Sequence, residues 1–145
     1  MKATHIALPM LSALCLAGTA VAKEEPSAPA PATYMGKVDP GAFRETPLEY
    51  KKKGVTVNPA AVRLITPGMD KFSIYNLIGP PHFGEGITRR WNYVLFFPVT
   101  PGSTERIRCR MEIRFGRKRT DGYNIAVSEV VWKEQACADR VVAAS

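Results

Sequence analysis

The sequence predicts an α+β domain in which two short helices pack on one face of a three-stranded antiparallel sheet. Two capped, helix-like segments occupy residues 58–79, and three segments with strand character follow between residues 91 and 132. Residues typical of turns separate each segment from the next. The order ααβββ favours a sheet that is covered by its helices on one face and open on the other.

The chain has 145 residues, of which 46% are hydrophobic and 23% charged, as is typical of a globular protein. This length allows one domain of ordinary size once the terminal segments are set aside. We divide the chain into a signal peptide at 1–22, a Pro/Ala-rich flexible linker at 23–47, the α+β domain at 48–140 and a C-terminal tail at 141–145.

Residues 1–22 have the pattern of an export signal. Lys2 supplies the positive start, an apolar run extends from Ile6 to Leu16, and Ala20-Val21-Ala22 is typical of a signal-peptidase site. The apolar run is short for a membrane span. We therefore expect export with cleavage before Lys23, and a buried N-terminal helix is the alternative.

The three cysteines have different expected fates. A lipoprotein signal needs a small residue before its acylated cysteine, whereas Leu14 precedes Cys15. We expect Cys15 to be removed with the signal, and a lipid anchor there is the alternative. Export then favours a disulfide between Cys109 and Cys137, the remaining pair, with two independent buried thiols as the alternative.

The predicted linker at 23–47 is rich in proline, with almost no apolar periodicity, which favours extended polyproline-like conformations. Its prolines are Pro26, Pro29, Pro31, Pro40 and Pro47. We expect a spacer between signal and domain. A partner-binding arm at 34–43 that orders on contact is the alternative.

The two helices are indicated by their ends. Asn58-Pro59 is an N-cap followed by proline at the first helical position, and Thr66-Pro67-Gly68 ends this helix. Asp70 is the N-cap of the second helix. Gly79 and Pro80-Pro81 end that helix, since glycine accepts a left-handed conformation and proline forbids continuation.

Three strands follow, at 91–97, 106–115 and 124–132. In the second strand, alternate positions are apolar, and they are Ile107, Cys109, Met111, Ile113 and Phe115. The intervening positions are Arg106, Arg108, Arg110, Glu112 and Arg114. This alternation predicts one buried face and one wet, basic face. In the third strand the apolar phase changes around Ser128-Glu129, which predicts a β-bulge.

Three stretches of this region together resemble the SmpA/OmlA (BamE-like) domain family. They are Thr66-Pro-Gly-Met-Asp-Lys-Phe-Ser-Ile-Tyr-Asn-Leu-Ile-Gly79, Pro81-His-Phe-Gly-Glu-Gly86 and Arg90-Trp-Asn-Tyr-Val-Leu-Phe-Phe97. The family has a PGM(T)…V…LLG.P helix and a W.Y.F strand. The resemblance covers about residues 54–138.

The resemblance implies a non-catalytic periplasmic module associated with the outer membrane. The best-known member of the family is an accessory lipoprotein of the complex that inserts β-barrel proteins. The resemblance implies periplasmic or outer-membrane proteins and anionic phospholipid as partners. The basic charge also favours lipopolysaccharide, and export argues against nucleic acid. The fold also occurs in secreted enzyme inhibitors, so a soluble secreted binding or inhibitor protein is the alternative function.

No catalytic, metal or cofactor site is indicated. Two histidines (His5 and His82) and three cysteines are too few for a His-rich or Cys/His zinc site. His82 has no recognisable nucleophile beside it, so we expect it to cap or pack beside the sheet, with a general base as the alternative. We therefore expect a protein that is not an enzyme.

The basic residues predict where the protein binds. Lys and Arg number 20 against 13 Asp and Glu, a net charge of +7. An apolar spot ringed by arginines is typical of protein-binding surfaces. We therefore predict a binding surface on the outer sheet face, formed by Phe96, Arg106, Arg108, Arg110, Arg114 and Tyr123. A solvated face kept charged against edge pairing is the alternative.

Overall fold

The computed structural model describes residues 32–85, 89–117 and 125–144. In chain order, its elements are β1 (Gly36–Val38), β2 (Val55–Thr56), α1 (Pro59–Arg63), α2 (Lys71–Ile78), β3 (Arg90–Pro98), β4 (Arg106–Arg117), β5 (Ile125–Trp132) and α3 (Gln135–Ala143). Short 3₁₀ turns lie at Pro40–Ala42 and Leu48–Tyr50. The predicted signal peptide and Tyr123 lie outside the described residues.

Helices α1 and α2 begin at the predicted caps. The Asn58 side chain accepts a hydrogen bond from the backbone N–H of Ala60 at 3.0 Å. Asp70 accepts from the hydroxyl and the backbone N–H of Ser73, and these bonds hold the pKa of Asp70 below its usual value. Gly79 ends α2 with φ of 79°, a left-handed conformation that favours glycine.

The described residues form one five-stranded sheet in the order β1-β5-β4-β3-β2. Its centre is the predicted antiparallel meander of β3, β4 and β5. The edge strands β1 and β2 pair in parallel with β5 and β3. The α+β class is therefore confirmed, and the prediction of three strands is wrong. Strands of two and three residues are too short to produce a periodic pattern.

A register shift lies where the third strand was expected to bulge. Arg114 opposes Glu129 and Phe115 opposes Val127, so Ser128 has no opposing residue in β4. The Ser128 hydroxyl donates to the carbonyl of Arg114 at 3.0 Å. The predicted β-bulge is confirmed.

The inner face of the sheet, toward the helices, is apolar. Its fully buried side chains include Trp91, Tyr93, Leu95, Phe97, Met111 and Ile113, packed with Val62, Ile65, Ile74 and Val141 from the helices. Helix α3 was not expected. It runs to Ala143 and buries Val141, so the tail predicted at 141–145 is helical up to residue 143. Glu134 at its N-cap makes no side-chain cap bond, which left its start without a sequence signal.

Cys109 of β4 and Cys137 of α3 form the predicted disulfide, with a Cα–Cα distance of 5.8 Å. The bond closes a loop across a sequence separation of 28 residues. It therefore fastens the unexpected third helix to the central strand of the sheet.

Residues 32–53, here called the N-terminal segment, contact the sheet. Strand β1 pairs with β5, and the backbone N–H of Asp39 donates to the carbonyl of Trp132 at 2.9 Å. The indole N–H of Trp132 donates to the Tyr34 hydroxyl at 2.5 Å, and burial raises the pKa of Tyr34 to about 12. The linker predicted at 23–47 is therefore not a spacer over residues 34–39. Backbone pairing holds this stretch, and it needs no apolar periodicity.

Candidate functional site

The outer face of the sheet is the face turned away from the helices. Because side chains alternate along a strand, the even-numbered residues of β3 and β4 lie on it. The register places Phe96 opposite Arg108, and Val94 opposite Arg110. Four of the six residues predicted to bind therefore belong to β4 and share this face, and Phe96 of β3 lies beside them.

The N-terminal segment and the loop before β3 cover the middle of the outer face. Val94 and Val131 on this face are fully buried. Tyr50 of the N-terminal segment contacts Phe83 of the loop, with ring centroids 5.2 Å apart. The prediction of a wet outer face is therefore wrong at its centre.

Arg110 lies under this cover and is only 2% exposed. Its Nη1 donates to the Thr46 hydroxyl at 2.5 Å and to the Arg44 carbonyl at 3.4 Å. Its Cζ lies 5.3 Å from the ring centroid of Phe43 and 5.1 Å from that of Phe83, within cation–π range. The Nε donor is buried and has no hydrogen-bond partner.

The charge of Arg110 has no close counter-ion. Among the described residues, no carboxylate oxygen lies within 4.0 Å of its guanidinium. Burial and then the charge of Arg108 lower the pKa of Arg110, and the more distant Glu134 and Glu112 oppose that change. Glu134 instead accepts from the backbone N–H of Arg110, at 2.8 Å.

The neighbouring part of the outer face carries its own acids. Glu112 is 5% exposed, and its Oε1 lies 2.7 Å from Arg114 Nε and 3.9 Å from Arg90 Nη1. Arg114 Nη1 lies 2.8 Å from Glu129 Oε2, and Lys37 Nζ lies 3.8 Å from Glu129 Oε1. The hydrogen bond from Arg114 to Glu112 is the main cause that raises the pKa of Arg114. Arg114 is thus neutralised within the chain, contrary to the predicted basic face.

Two clefts lie at the edge of the cover. The Arg110 cleft has a volume of about 450 Å³, and its lining includes Phe43, Glu45, Phe83, Asn92, Arg110 and Glu112. The Arg108 cleft has a volume of about 390 Å³ and is lined by Glu45, Thr46, Lys51, Arg108 and Lys133. Glu45 belongs to both, so the two clefts are neighbours.

The structure divides the six residues of the predicted surface. Arg106 and Arg108 are exposed, and Phe96 is partly buried beside Gly54, where any larger residue would clash with its ring. Arg106 donates to the Thr56 hydroxyl at 2.8 Å. The predicted surface did not include Thr46, or Phe43, which belonged only to the alternative of a partner-binding arm at 34–43. The signal available was an aromatic residue inside a segment that otherwise reads as a linker.

His82 has the packing role predicted for it. Its Nδ1 accepts from the backbone N–H of Val94 at 3.2 Å, and its ring meets Tyr93 edge-on at 6.2 Å. Burial, with a smaller contribution from Lys53, lowers the pKa of His82. The histidine therefore closes the edge of β3 between β2 and the bridge from Phe83 to Asn92.

In residues 32–85, 89–117 and 125–144, no group of three or more His, Cys, Asp or Glu side chains is arranged to hold a metal ion. None of the helices in those ranges is both long and apolar enough to cross a membrane.

Comparison with protein families gives a match at residues 54–122 to the family described as "Outer membrane protein assembly factor BamE domain". Residues 54–122 form a BamE domain. The match confirms the predicted resemblance and spans β2, α1, α2, β3 and β4. No curated protein matches the chain.

The BamE domain supplies only part of the outer-face site. Arg110, Arg108 and Phe83 lie within residues 54–122, whereas Phe43 and Thr46 precede them. The N-terminal segment, β5 and α3 also lie outside the matched range. The Arg110 cleft is therefore formed jointly by the BamE domain and by a segment that the family match does not include.

Proposed function

We propose that this protein is a non-catalytic accessory module of outer-membrane protein assembly and envelope integrity, which acts by binding other proteins. The observation that carries the proposal is the BamE domain at residues 54–122. The export-signal pattern of residues 1–22 supports a periplasmic location, and the family's description supports association with the outer membrane.

The environment of His82 supports a role without catalysis. It is the one histidine after residue 22, and its Nδ1 is occupied by a backbone N–H. A general base needs a nitrogen directed at a substrate proton, and Nδ1 of His82 is directed at the backbone of β3 instead. Binding is then the activity that the arginine-rich outer face favours.

We assign binding to the outer face of the sheet, centred on Phe96, Arg106 and Arg108, with Arg110 at the bottom of its cleft. Arg114 is dropped from this surface because Glu112 and Glu129 already pair with it. Anionic phospholipid or lipopolysaccharide would be attracted to the same exposed arginines by about 1 kcal/mol per residue near an anionic surface. The experiment therefore needs separate arms for protein and lipid.

The protein arm uses the full-length tagged protein in native envelopes, cross-linked and captured for mass spectrometry. We expect outer-membrane assembly proteins among the captured partners and sedimentation with outer membranes at low salt. Arg106→Glu/Arg108→Glu should reduce that capture, because the change reverses the charge of the exposed arginines. Freely released protein that captures a soluble enzyme would overturn the proposal in favour of a secreted inhibitor.

The lipid arm uses purified protein and vesicles with and without anionic phospholipid. Co-sedimentation with anionic vesicles alone, lost in Arg106→Glu/Arg108→Glu, would support lipid as an additional ligand of this face. Envelope capture without vesicle binding would restrict the function to protein partners.

A further inference from the structure

Arg110 is a buried cation that forms no salt bridge with any of the described residues. It is 2% exposed, and no carboxylate oxygen of the described residues comes within 4.0 Å of its guanidinium. Its Nε donor is also without a hydrogen-bond partner. Burying a charge and a donor in this way is costly, and the cost falls when an anionic acceptor is supplied.

The Arg110 cleft gives such an acceptor a place to enter. Its volume of about 450 Å³ exceeds that of a single side chain, and Arg110 is part of its lining. Glu112 also lines it, but Arg114 and Arg90 engage that carboxylate. The Glu112 carboxylate is therefore already paired with other arginines.

The contacts of Arg110 select the geometry of the acceptor. The rings of Phe43 and Phe83 lie over the guanidinium, and Nη1 is used by Thr46 and Arg44. The donor left over is Nε, on one edge of the guanidinium, and because this atom is buried an acceptor reaches that edge only when the cover shifts. A planar carboxylate matches an arginine edge in this way, with two parallel N–H···O bonds.

Positive charge continues along the strand into the second cleft. Arg108 lies two residues before Arg110 on the same face, about 7 Å along the strand. Lys51 and Lys133 line the same cleft as Arg108. Acidic side chains at positions i and i+2 of an extended peptide have the same spacing.

We propose that the two clefts bind an extended acidic peptide segment of a partner protein. One carboxylate enters the Arg110 cleft, and a second, two residues away, meets Arg108, Lys51 and Lys133. Glu45 lines both clefts and competes with the incoming carboxylates. This inference rests on the proposed function for the existence of a protein partner, and it adds the partner's chemistry.

The test measures fluorescence anisotropy of a labelled, end-blocked peptide, Ser-Gly-Glu-Ser-Glu-Gly-Ser, with the purified oxidised protein. The matched peptide has glutamine in place of both glutamates. We expect the glutamate peptide to bind at least about tenfold more tightly, because each charge-assisted bond to a desolvated arginine contributes strongly. Blocked ends confine the result to side-chain carboxylates.

Three variants distinguish the clefts from net charge. Arg108→Glu should weaken binding by about tenfold or more, since it reverses a charge inside a cleft. Arg117→Glu makes the same charge change at the exposed end of β4, outside both clefts and the assigned binding surface, and should stay within about threefold. Glu45→Gln should tighten binding by about threefold, because it removes the internal competitor. This gain cannot arise from unfolding.

Arg110→Lys tests the buried group directly, since it retains the charge and loses the planar fork. We expect weaker glutamate-peptide binding with an unchanged circular dichroism spectrum; if this variant does not fold, Arg108→Glu and Glu45→Gln decide the matter. Equal affinity for the two peptides, or equal losses in Arg117→Glu and Arg108→Glu, would overturn the inference. Should envelope capture persist in that case, the proposed function stands and only the acidic-peptide chemistry fails.

Discussion

On β4, the inner-facing Met111 and Ile113 are buried among apolar side chains, and the outer-facing Arg110 and Glu112 are buried almost as completely. The same strand thus has two buried faces of opposite chemistry. The inner face gains stability from removing apolar surface from water. The outer face has to satisfy charges that were removed from water, and it does so incompletely at Arg110. Burial alone therefore does not define the core of this domain.

The two faces also differ in what covers them. Helices α1, α2 and α3 cover the inner face, and a disulfide fastens α3 to β4. The outer face is covered by the N-terminal segment, whose regular structure is limited to short strands and 3₁₀ turns. Contacts made by short strands and 3₁₀ turns stabilise less than a packed core does. A partner should therefore replace contacts on the outer face more readily than contacts on the inner face.

The largest effect is expected when two neighbouring buried residues of β3, one on each face of the sheet, are replaced by alanine. Leu95→Ala on the inner face should lower the free energy of unfolding by about 2–5 kcal/mol, because the rigid core keeps a cavity. Val94→Ala on the outer face should lower the free energy of unfolding by roughly 2 kcal/mol, because two methyl-sized groups are no longer buried away from water. Urea denaturation measures both. A larger loss at Val94 would reverse the comparison.

The next largest effect is expected from removing the disulfide between Cys109 and Cys137. Replacing both cysteines, Cys109→Ala/Cys137→Ala, should lower the free energy of unfolding by about 2–4 kcal/mol, since the unfolded chain is no longer closed into a loop. Urea denaturation of the variant and of the reduced wild-type protein should agree. Thiol labelling of native material should find neither cysteine free, and free thiols at both would contradict the disulfide.

A smaller effect is expected where the N-terminal segment meets the core. Tyr34→Phe removes the acceptor for the indole N–H of Trp132 and leaves that donor buried. The expected cost is about 1–3 kcal/mol in the free energy of unfolding. Met35→Ala is the matched control, because Met35 is 69% exposed and should change stability by no more than about 0.5 kcal/mol. Equal effects would mean that the segment is held by its backbone alone.

The smallest effect is a dependence of stability on pH at His82. Its pKa is lowered from 6.5 by burial, so the folded protein binds fewer protons than the unfolded chain just below pH 6.5. The free energy of unfolding should therefore fall on acidification through that window, as protonation of Nδ1 breaks the bond from Val94. In His82→Asn this fall in the free energy of unfolding should disappear. If the wild-type protein and the variant show the same dependence of stability on pH, His82 makes no such contribution.

The sequence predicted the local parts of the fold. Caps at Asn58 and Asp70 and the left-handed Gly79 mark helix ends, because each signal is confined to a few neighbouring residues. The alternation of β4 and the phase change at Ser128 identified strand faces and the bulge for the same reason. Strands β1 and β2 and helix α3 were missed, since they exist through pairing and packing with distant residues.

The candidate site was predicted in part. Arg108 and Arg110 were placed on one face correctly, because strand geometry fixes the alternation of side chains. That Arg110 is buried depends on Phe43 and Thr46, which lie more than 60 residues earlier in the chain. That Arg114 is neutralised depends on Glu129 of the neighbouring strand. Neither contact has a sequence signal, because each is set by register and chain path.

By itself, the amino-acid sequence determined where α1 and α2 begin, the strand faces, the cysteine pair and the family resemblance, since these follow from local conformational preference and from the composition of short segments. Only the tertiary structure decided which charges are in water. Solvation of a side chain depends on what packs over it, and in this protein a proline-rich segment from elsewhere in the chain packs over Arg110.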